Sequence, residues 1–246
     1  MRKATSRELK YQARVLLNGK YSKMAFITLL MCVFDLGLNY VLSYAFPSTE
    51  GGFNGILYIA CTLLCNMVYY ILLAGLMRIY LHLCRGEQIQ VSDLFSVFSD
   101  RPEQVAIYSV VQFILQNIAS YVSGRCLSQL WRAGFAPLPV LALAILSIVV
   151  IYLQLCLILV LFLYCDAPWK SAPQLMKESW KMMRGNKSRM FCLILSFLGV
   201  MLLAVLSLGI GLLFVRPYLY VTQGLFYLNL VPHAEAEGTD QGGSAN

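Results

Sequence analysis

Charge is scarce in this chain. Only 13% of its 246 residues are Asp, Glu, Lys or Arg, against about 25% in an ordinary soluble domain. With 59% hydrophobic residues, this excludes a molecule whose whole surface faces water. Metal and disulfide chemistry also lacks its usual parts. No two of the eight cysteines form a CxxC pair, and His82 and His233 have no ligand-type neighbours. The cysteines fall mostly inside apolar runs and read as small hydrophobes, so no metal site and no cofactor is expected. GxxxxGK[ST], HExxH and GxSxG are all missing, and no connector is long enough to hold a soluble catalytic domain. Gly209-x-Gly211 lacks the strand–helix setting of a dinucleotide site and reads as a turn. No catalytic residue is expected, and the chain reads as a non-enzyme. Met31 is too large for the small position of a lipoprotein-type cleavage site at Cys32, and no A-x-A-like site occurs, so the first apolar run reads as an uncleaved span.

What the sequence does have is apolar runs long enough to cross a hydrocarbon core of ~30 Å. They are continuous rather than alternating, which argues against a barrel. The predicted fold class is all-α: a polytopic membrane helical bundle of about six transmembrane helices with cytoplasmic amphipathic helices. A single membrane domain covers 1–231, with spans at about 24–46, 55–79, 105–122, 138–165, 190–206 and 212–231. Between spans two and three, 86–104 is a polar connector in which Val91, Leu94, Phe95 and Phe98 suggest a short amphipathic turn. Residues 123–137 read as a loop. The tail 232–246 is polar and glycine-rich and predicts disorder. A competing layout runs 190–215 as one tilted span and lays 218–231 on the outer surface, giving five.

The net charge is +7, and its placement matters more than its size. Both termini inside leaves only Arg125, Arg132 and Arg216, of nineteen Lys and Arg, off the cytoplasmic side, a strong positive-inside bias. The charge lies beside apolar runs rather than in a separate basic domain, so anionic headgroups are the expected partner and nucleic acid is not. Two segments carry it. Read helically, the stretch Asp166 to Phe191, with its amphipathic helix at 171–185, puts Leu175, Met176, Trp180 and Met183 on one face and Lys170, Gln174, Lys177, Lys181 and Arg184 on the other, the pattern of a helix lying on an anionic membrane. Residues 5–18 do the same, with Leu9, Ala13, Leu16 and Leu17 on one face. The candidate membrane-surface contacts are Arg7, Lys10, Arg14, Lys177, Lys181, Arg184, Lys187 and Arg189.

These two segments match each other. A shift of 166 residues lays Thr5-x-x-Glu8 on Ser171-x-x-Gln174, two capping boxes, then Leu9 on Leu175, Gly19 on Gly185, and Ser22-Lys23-Met24 on Ser188-Arg189-Met190. One reading is convergence, since one local task needs one set of residues. The other is a duplicated unit, with three helical hairpins each introduced by a cytoplasmic surface element.

Ionisable and amide side chains inside spans are costly, which makes them candidate functional groups. Asp35 and Asn39 lie one turn apart on span one, and Arg216 on span six is long enough to reach Asp35. The alternative is that Asp35 bonds to neighbouring helices while Arg216 snorkels outward. Asn66, Gln112, Gln116, Asn117 and Gln154 either glue helices together or line a polar path with Asp35.

Cys165-Asp166-Ala-Pro168, Ser179, Met183-Arg-Gly185-Asn186-Lys187, Leu195-Ser196-Phe197-Leu-Gly199, Leu208-Gly209-Ile210-Gly211, Pro217-Tyr218 and Phe226-Tyr227 occur in that order. Over about 160–230 the chain resembles the bacterial integral membrane family known as domain of unknown function 975. The resemblance implies a multi-pass protein of the bacterial cytoplasmic membrane and carries over no catalytic residue. The expected role is organising lipids or partner proteins, whose identity the sequence leaves open, at the cytoplasmic face. The alternative is a small-solute or lipid transporter using a polar seam around Asp35.

Overall fold

The computed structural model describes residues 5–46, 52–131, 137–207, 209 and 211–242, with side chains for 5–46, 53–126, 128, 141–207, 209 and 211–231. The described residues form α1 (Ser6–Leu17), α2 (Tyr21–Ala45), α3 (Gly52–Arg85), α4 (Asp93–Ser96), α5 (Pro102–Trp131), α6 (Pro137–Leu157), α7 (Val160–Asp166), α8 (Ala172–Met183), α9 (Lys187–Leu195), α10 (Leu198–Leu206) and α11 (Leu212–Gly242). The fold is an all-α helical bundle. Among the described residues, five helical segments are long and apolar enough to cross a membrane: Tyr21–Ala45, Phe53–Arg85, Pro102–Cys126, Leu141–Asp166 and Lys187–Leu206.

The 166-residue correspondence holds in three dimensions. Thr5 and Ser171 have nearly the same extended backbone, φ/ψ −75/156° and −72/151°, and both capping boxes form. The Thr5 amide donates to Glu8 Oε2 at 2.7 Å and the Ser171 amide to Gln174 Oε1 at 3.1 Å. Each helix is 12 residues long and stops at a glycine in the left-handed region, Gly19 at φ 76° and Gly185 at φ 80°. A Cβ resists that conformation, so glycine fixes the sharp exit into the next helix. Buried positions coincide as well. Leu9, Ala13, Leu17, Met24, Ile27 and Met31 match Leu175, Ser179, Met183, Met190, Leu193 and Phe197, and every one is buried. A 12-residue helix is marginal alone in water. Each buried leucine-sized side chain returns about 1.5–3 kcal/mol, so docking rather than propensity stabilises α1 and α8.

The hairpins are α2–α3, α5 with α6 and α7, and α9–α10 with α11, preceded by α1, α4 and α8 respectively. Each short helix packs on the returning helix of another hairpin: α4 on α3, α8 on α6 and α7, and α1 on α11. The outgoing helices repeat the rule, with α5 against α3, α9 against α6 and α2 against α11. Contact between the last hairpin and α1 and α2 therefore closes the three hairpins into a ring.

Several boundaries differ from the sequence reading. Helix α5 continues through Trp131 across part of the expected loop 123–137, with the Ser123 and Ser128 hydroxyls donating back to the Ser120 and Arg125 carbonyls at 3.0 and 2.9 Å. Residues 132–136, the rest of that loop, lie outside the described residues, as do 47–51 of the first turn. Helix α11 continues to Gly242, through residues 232–242 of the tail expected to be disordered, and 243–246 lie outside the described residues. Spans four and five are each broken, at 158–159 and 196–197. The expected sixth span is a helix but is not among the five apolar segments. Its sides are covered by α1, α2 and α3, so it buries Thr222 and Gln223 where a lipid-facing helix would carry apolar side chains. In the 86–104 connector the buried residues are Leu94 and Val97, while Val91, Phe95 and Phe98 are exposed.

Helix α4 sits so close to α3 that a Cβ built on Gly75 would lie 2.1 Å from the Leu94 carbonyl oxygen. No side-chain rotation relieves a clash with backbone. Gly75→Ala is expected to destabilise the protein by about 1–3 kcal/mol and to expose 86–101 to protease. Unchanged thermal unfolding and proteolysis in detergent would show that α4 does not dock as described.

Candidate functional site

The basic side chains divide into two sets. Arg7, Arg14, Lys177, Lys181 and Arg184 are exposed. On α8 the three exposed cations flank Trp180, which is 39% exposed, while Leu175, Ser179 and Met183 are buried on the opposite side. Lys10, Lys187 and Arg189 are instead half-buried and engage the protein itself. Lys10 Nζ donates to the Ser196 carbonyl at 2.9 Å and lies 4.3 Å from the Phe197 ring centre. Burial, and then the Arg14 charge, hold it below the ordinary lysine pKa. Lys187 sits over Tyr152 and Trp180 at 3.9 and 4.9 Å and bonds the Tyr152 hydroxyl. Arg189 lies 5.5 Å from the Phe226 ring centre. Such contacts contribute about 0.5–2 kcal/mol each and fix where the short helices sit.

Helix breaks explain part of this arrangement. An unpaired carbonyl in apolar surroundings costs several kcal/mol, so freed groups need partners. At the α9–α10 break Lys10 takes the Ser196 carbonyl. At the α6–α7 break the Ser179 hydroxyl donates to the Cys156 carbonyl at 2.6 Å and the Tyr108 hydroxyl to the Leu157 carbonyl at 3.2 Å.

The polar residues of the spans form two groups. In the first, Asn39 Nδ2 donates to the Asp35 carbonyl at 2.8 Å and to Asp35 Oδ1 at 3.2 Å. Arg216 does not pair with Asp35 in the structure; its Nη1 meets Cys32 Sγ at 3.0 Å, one turn away. In the second group Gln112 Nε2 donates to the Tyr108 hydroxyl at 2.6 Å, Gln116 Nε2 donates to the Tyr70 hydroxyl at 2.9 Å, and the two tyrosine rings meet edge to face at 5.8 Å. Gln116 and Tyr70 thereby tie α5 to α3. Asn117 bonds back to the Phe113 carbonyl at 2.8 Å. Asn66 keeps a buried Oδ1 without a partner among the described residues.

A cavity of ≈ 480 Å³ lies between α3, α5, α6, α7, α9 and α11. Gln112 and Gln154 line it, together with Tyr70, Tyr108, Tyr220 and Gln223. Asp35, Asn39 and Arg216 do not, so the two polar groups do not merge into one described path. Among the described residues no three His, Cys, Asp or Glu side chains come together as metal ligands, and the eight cysteines are free.

One cluster was missed by sequence reasoning. Arg85 at the end of α3 grips Asp166 at the end of α7, with Nη2 2.7 and 2.9 Å from the two carboxylate oxygens, and the Tyr227 hydroxyl of α11 donates to the same carboxylate at 2.7 Å. Three returning helices meet at one carboxylate. The available signal was position, since Arg85 and Asp166 each end an apolar run.

Helices of this length and apolarity define a multi-pass α-helical integral membrane protein. The chain belongs to the family described as protein of unknown function (DUF975), whose model matches residues 104–234, more than half of the chain. No curated protein and no solved structure matches it.

Asp166→Ala leaves the exposed Arg85 guanidinium without its counter-charge and the buried Tyr227 hydroxyl without its acceptor. Full loss of a buried partner costs about 3–5 kcal/mol, and partial exposure of both side chains lowers the expectation to about 1–3 kcal/mol. Thermal unfolding should show that loss, and Asp166→Asn, which keeps an acceptor for Tyr227, should recover part of it. Equal stability of all three proteins would remove the cluster as a structural tie.

Proposed function

We propose that this chain is a non-enzymatic protein of the bacterial cytoplasmic membrane, N-terminus inside, that gathers anionic lipids at the inner face. The observation supporting this reading is the outward side of α8. Lys177, Lys181 and Arg184 flank a half-exposed tryptophan, while the opposite stripe of the helix is fixed to the bundle. A cation beside an anionic surface contributes about 1 kcal/mol, and tryptophan favours the headgroup level. Arg7 and Arg14 extend the same chemistry onto α1. Because α8 cannot rotate without unburying Leu175 and Met183, its cations are held in place rather than sampled. Partner proteins recruited by the lipids so gathered would read the same surface.

The test is lipid selectivity of the protein reconstituted in mixed vesicles, read by electron paramagnetic resonance of spin-labelled phosphatidylglycerol and phosphatidylcholine. The native protein is expected to prefer phosphatidylglycerol, with the preference falling as salt rises. The triple variant K177E/K181E/R184E is expected to lose it. Equal affinity for both lipids in the native protein, or a preference untouched by the triple variant, would sink the proposal. Sidedness is a separate measurement: a tag on the N-terminus of the protein in intact bacterial cells should be cleaved only after the inner membrane is opened.

A further inference from the structure

The ≈ 480 Å³ cavity falls within the range of about 300–1,000 Å³ typical of small-molecule sites, and its chemistry is specific. Gln112 and Gln223 are only 4% and 7% exposed, and both line it. Gln112 uses its amide nitrogen on Tyr108, and its carbonyl oxygen has no partner among the described residues. Gln223 makes no hydrogen bond among the described residues, and Gln154, on a third helix, makes none either. The free polar atoms of both amides line the space rather than lying sealed in the packing, so two glutamines facing one space favour an occupant that both donates and accepts. The rest of the lining is aliphatic and aromatic, and no Lys, Arg, Asp or Glu contributes to it. That disfavours a carboxylate or phosphate, whose charge would have no counter-ion there. Ile151 and Phe191 line the cavity and are also exposed on the outer, apolar surface, so the space communicates with the side where lipid chains lie.

We infer that this cavity is a binding site for a neutral acylglycerol. One acyl chain would lie along the apolar lining, and the hydroxyl and ester groups would be held by the amides of Gln112 and Gln223. The site uses none of the basic residues of α1 and α8, so it stands or falls independently of the headgroup reading.

The test uses the full chain in phosphatidylcholine nanodiscs and a monoacylglycerol carrying a diazirine in its acyl chain. Irradiation is expected to label the cavity-lining stretches 150–162 and 191–194. Excess unlabelled monoacylglycerol should suppress the label, and the free fatty acid of the same chain length should not. The double variant Q112L/Q223L is expected to lower labelling about tenfold, the equivalent of about 1.4 kcal/mol. Ala119→Phe, which fills the cavity from α5 and leaves both amides in place, should abolish labelling and keeps the test open if the double variant fails to fold. Label confined to the outer faces of α6 and α10, equal competition by the fatty acid, or undiminished labelling in Ala119→Phe would each overturn the assignment.

Discussion

Freed backbone carbonyls at two helix breaks constrain the rest of this bundle. Cys156, Leu157 and Ser196 lie in apolar stretches where water cannot satisfy them, and their partners arrive from other elements: Ser179 on α8, Tyr108 on α5 and Lys10 on α1. The breaks are therefore not local irregularities. They give the short helices polar anchors in addition to their buried stripes, and a helix so anchored cannot slide along its neighbour. The left-handed stops at Gly19 and Gly185 complete the constraint, because they fix the direction in which the chain leaves each docked helix for the next hairpin.

Packing is uneven as a result. On α3 nearly every residue from Tyr70 to Leu83 is buried or half-buried, while Phe53, Ile56, Ile59, Leu64 and Val68 are exposed. The dense core gathers where the short helices dock, and the far halves of α2, α3, α6 and α10 present apolar side chains outward. In water such a surface would be prohibitive. In a bilayer those side chains lose nothing, since lipid tails are as apolar as leucine. The hydrophobic effect has little work left among the spans, and specific polar contacts plus close backbone approach at Gly75 hold the relative positions.

What was legible in the sequence was what is encoded locally. Capping boxes, glycine stops and the buried stripes of α1 and α8 are short-range patterns, and the 166-residue correspondence followed from them down to the buried methionines at 24 and 190. Arg216 shows the limit. Its length suggested a pair with Asp35, but reach does not decide a partner, and the guanidinium lies against Cys32. Gln112 is readable as an intramembrane amide, whereas Gln223 lies on a helix less apolar than the five spans, where an amide carries less signal. In the sequence Asp166 is legible only as part of a motif. Its role depends on Arg85 and Tyr227, which are 81 and 61 residues away in sequence, and no pattern along the chain records that meeting.

The carboxylate of Asp166 also bears on why a cavity exists at all. It sits at the C-terminus of α7, where the helix dipole disfavours a negative charge, so it needs the Arg85 guanidinium that arrives at the favourable C-terminus of α3. Tyr227 adds α11 to the same point, and its ring stacks on Phe162 at 5.8 Å. Three returning helices are thereby drawn together at one level. The cavity-lining residues Met77, Phe162 and Gln223 all precede that level on their helices. The charge cluster thus fixes the spacing of the three helices whose earlier turns line the cavity. The space opens toward the lipid-facing side at Ile151 and Phe191, and Ala119 is a small residue in its lining. The small residue there and the unpartnered amides beside it fit together as the features of a space kept open for an occupant.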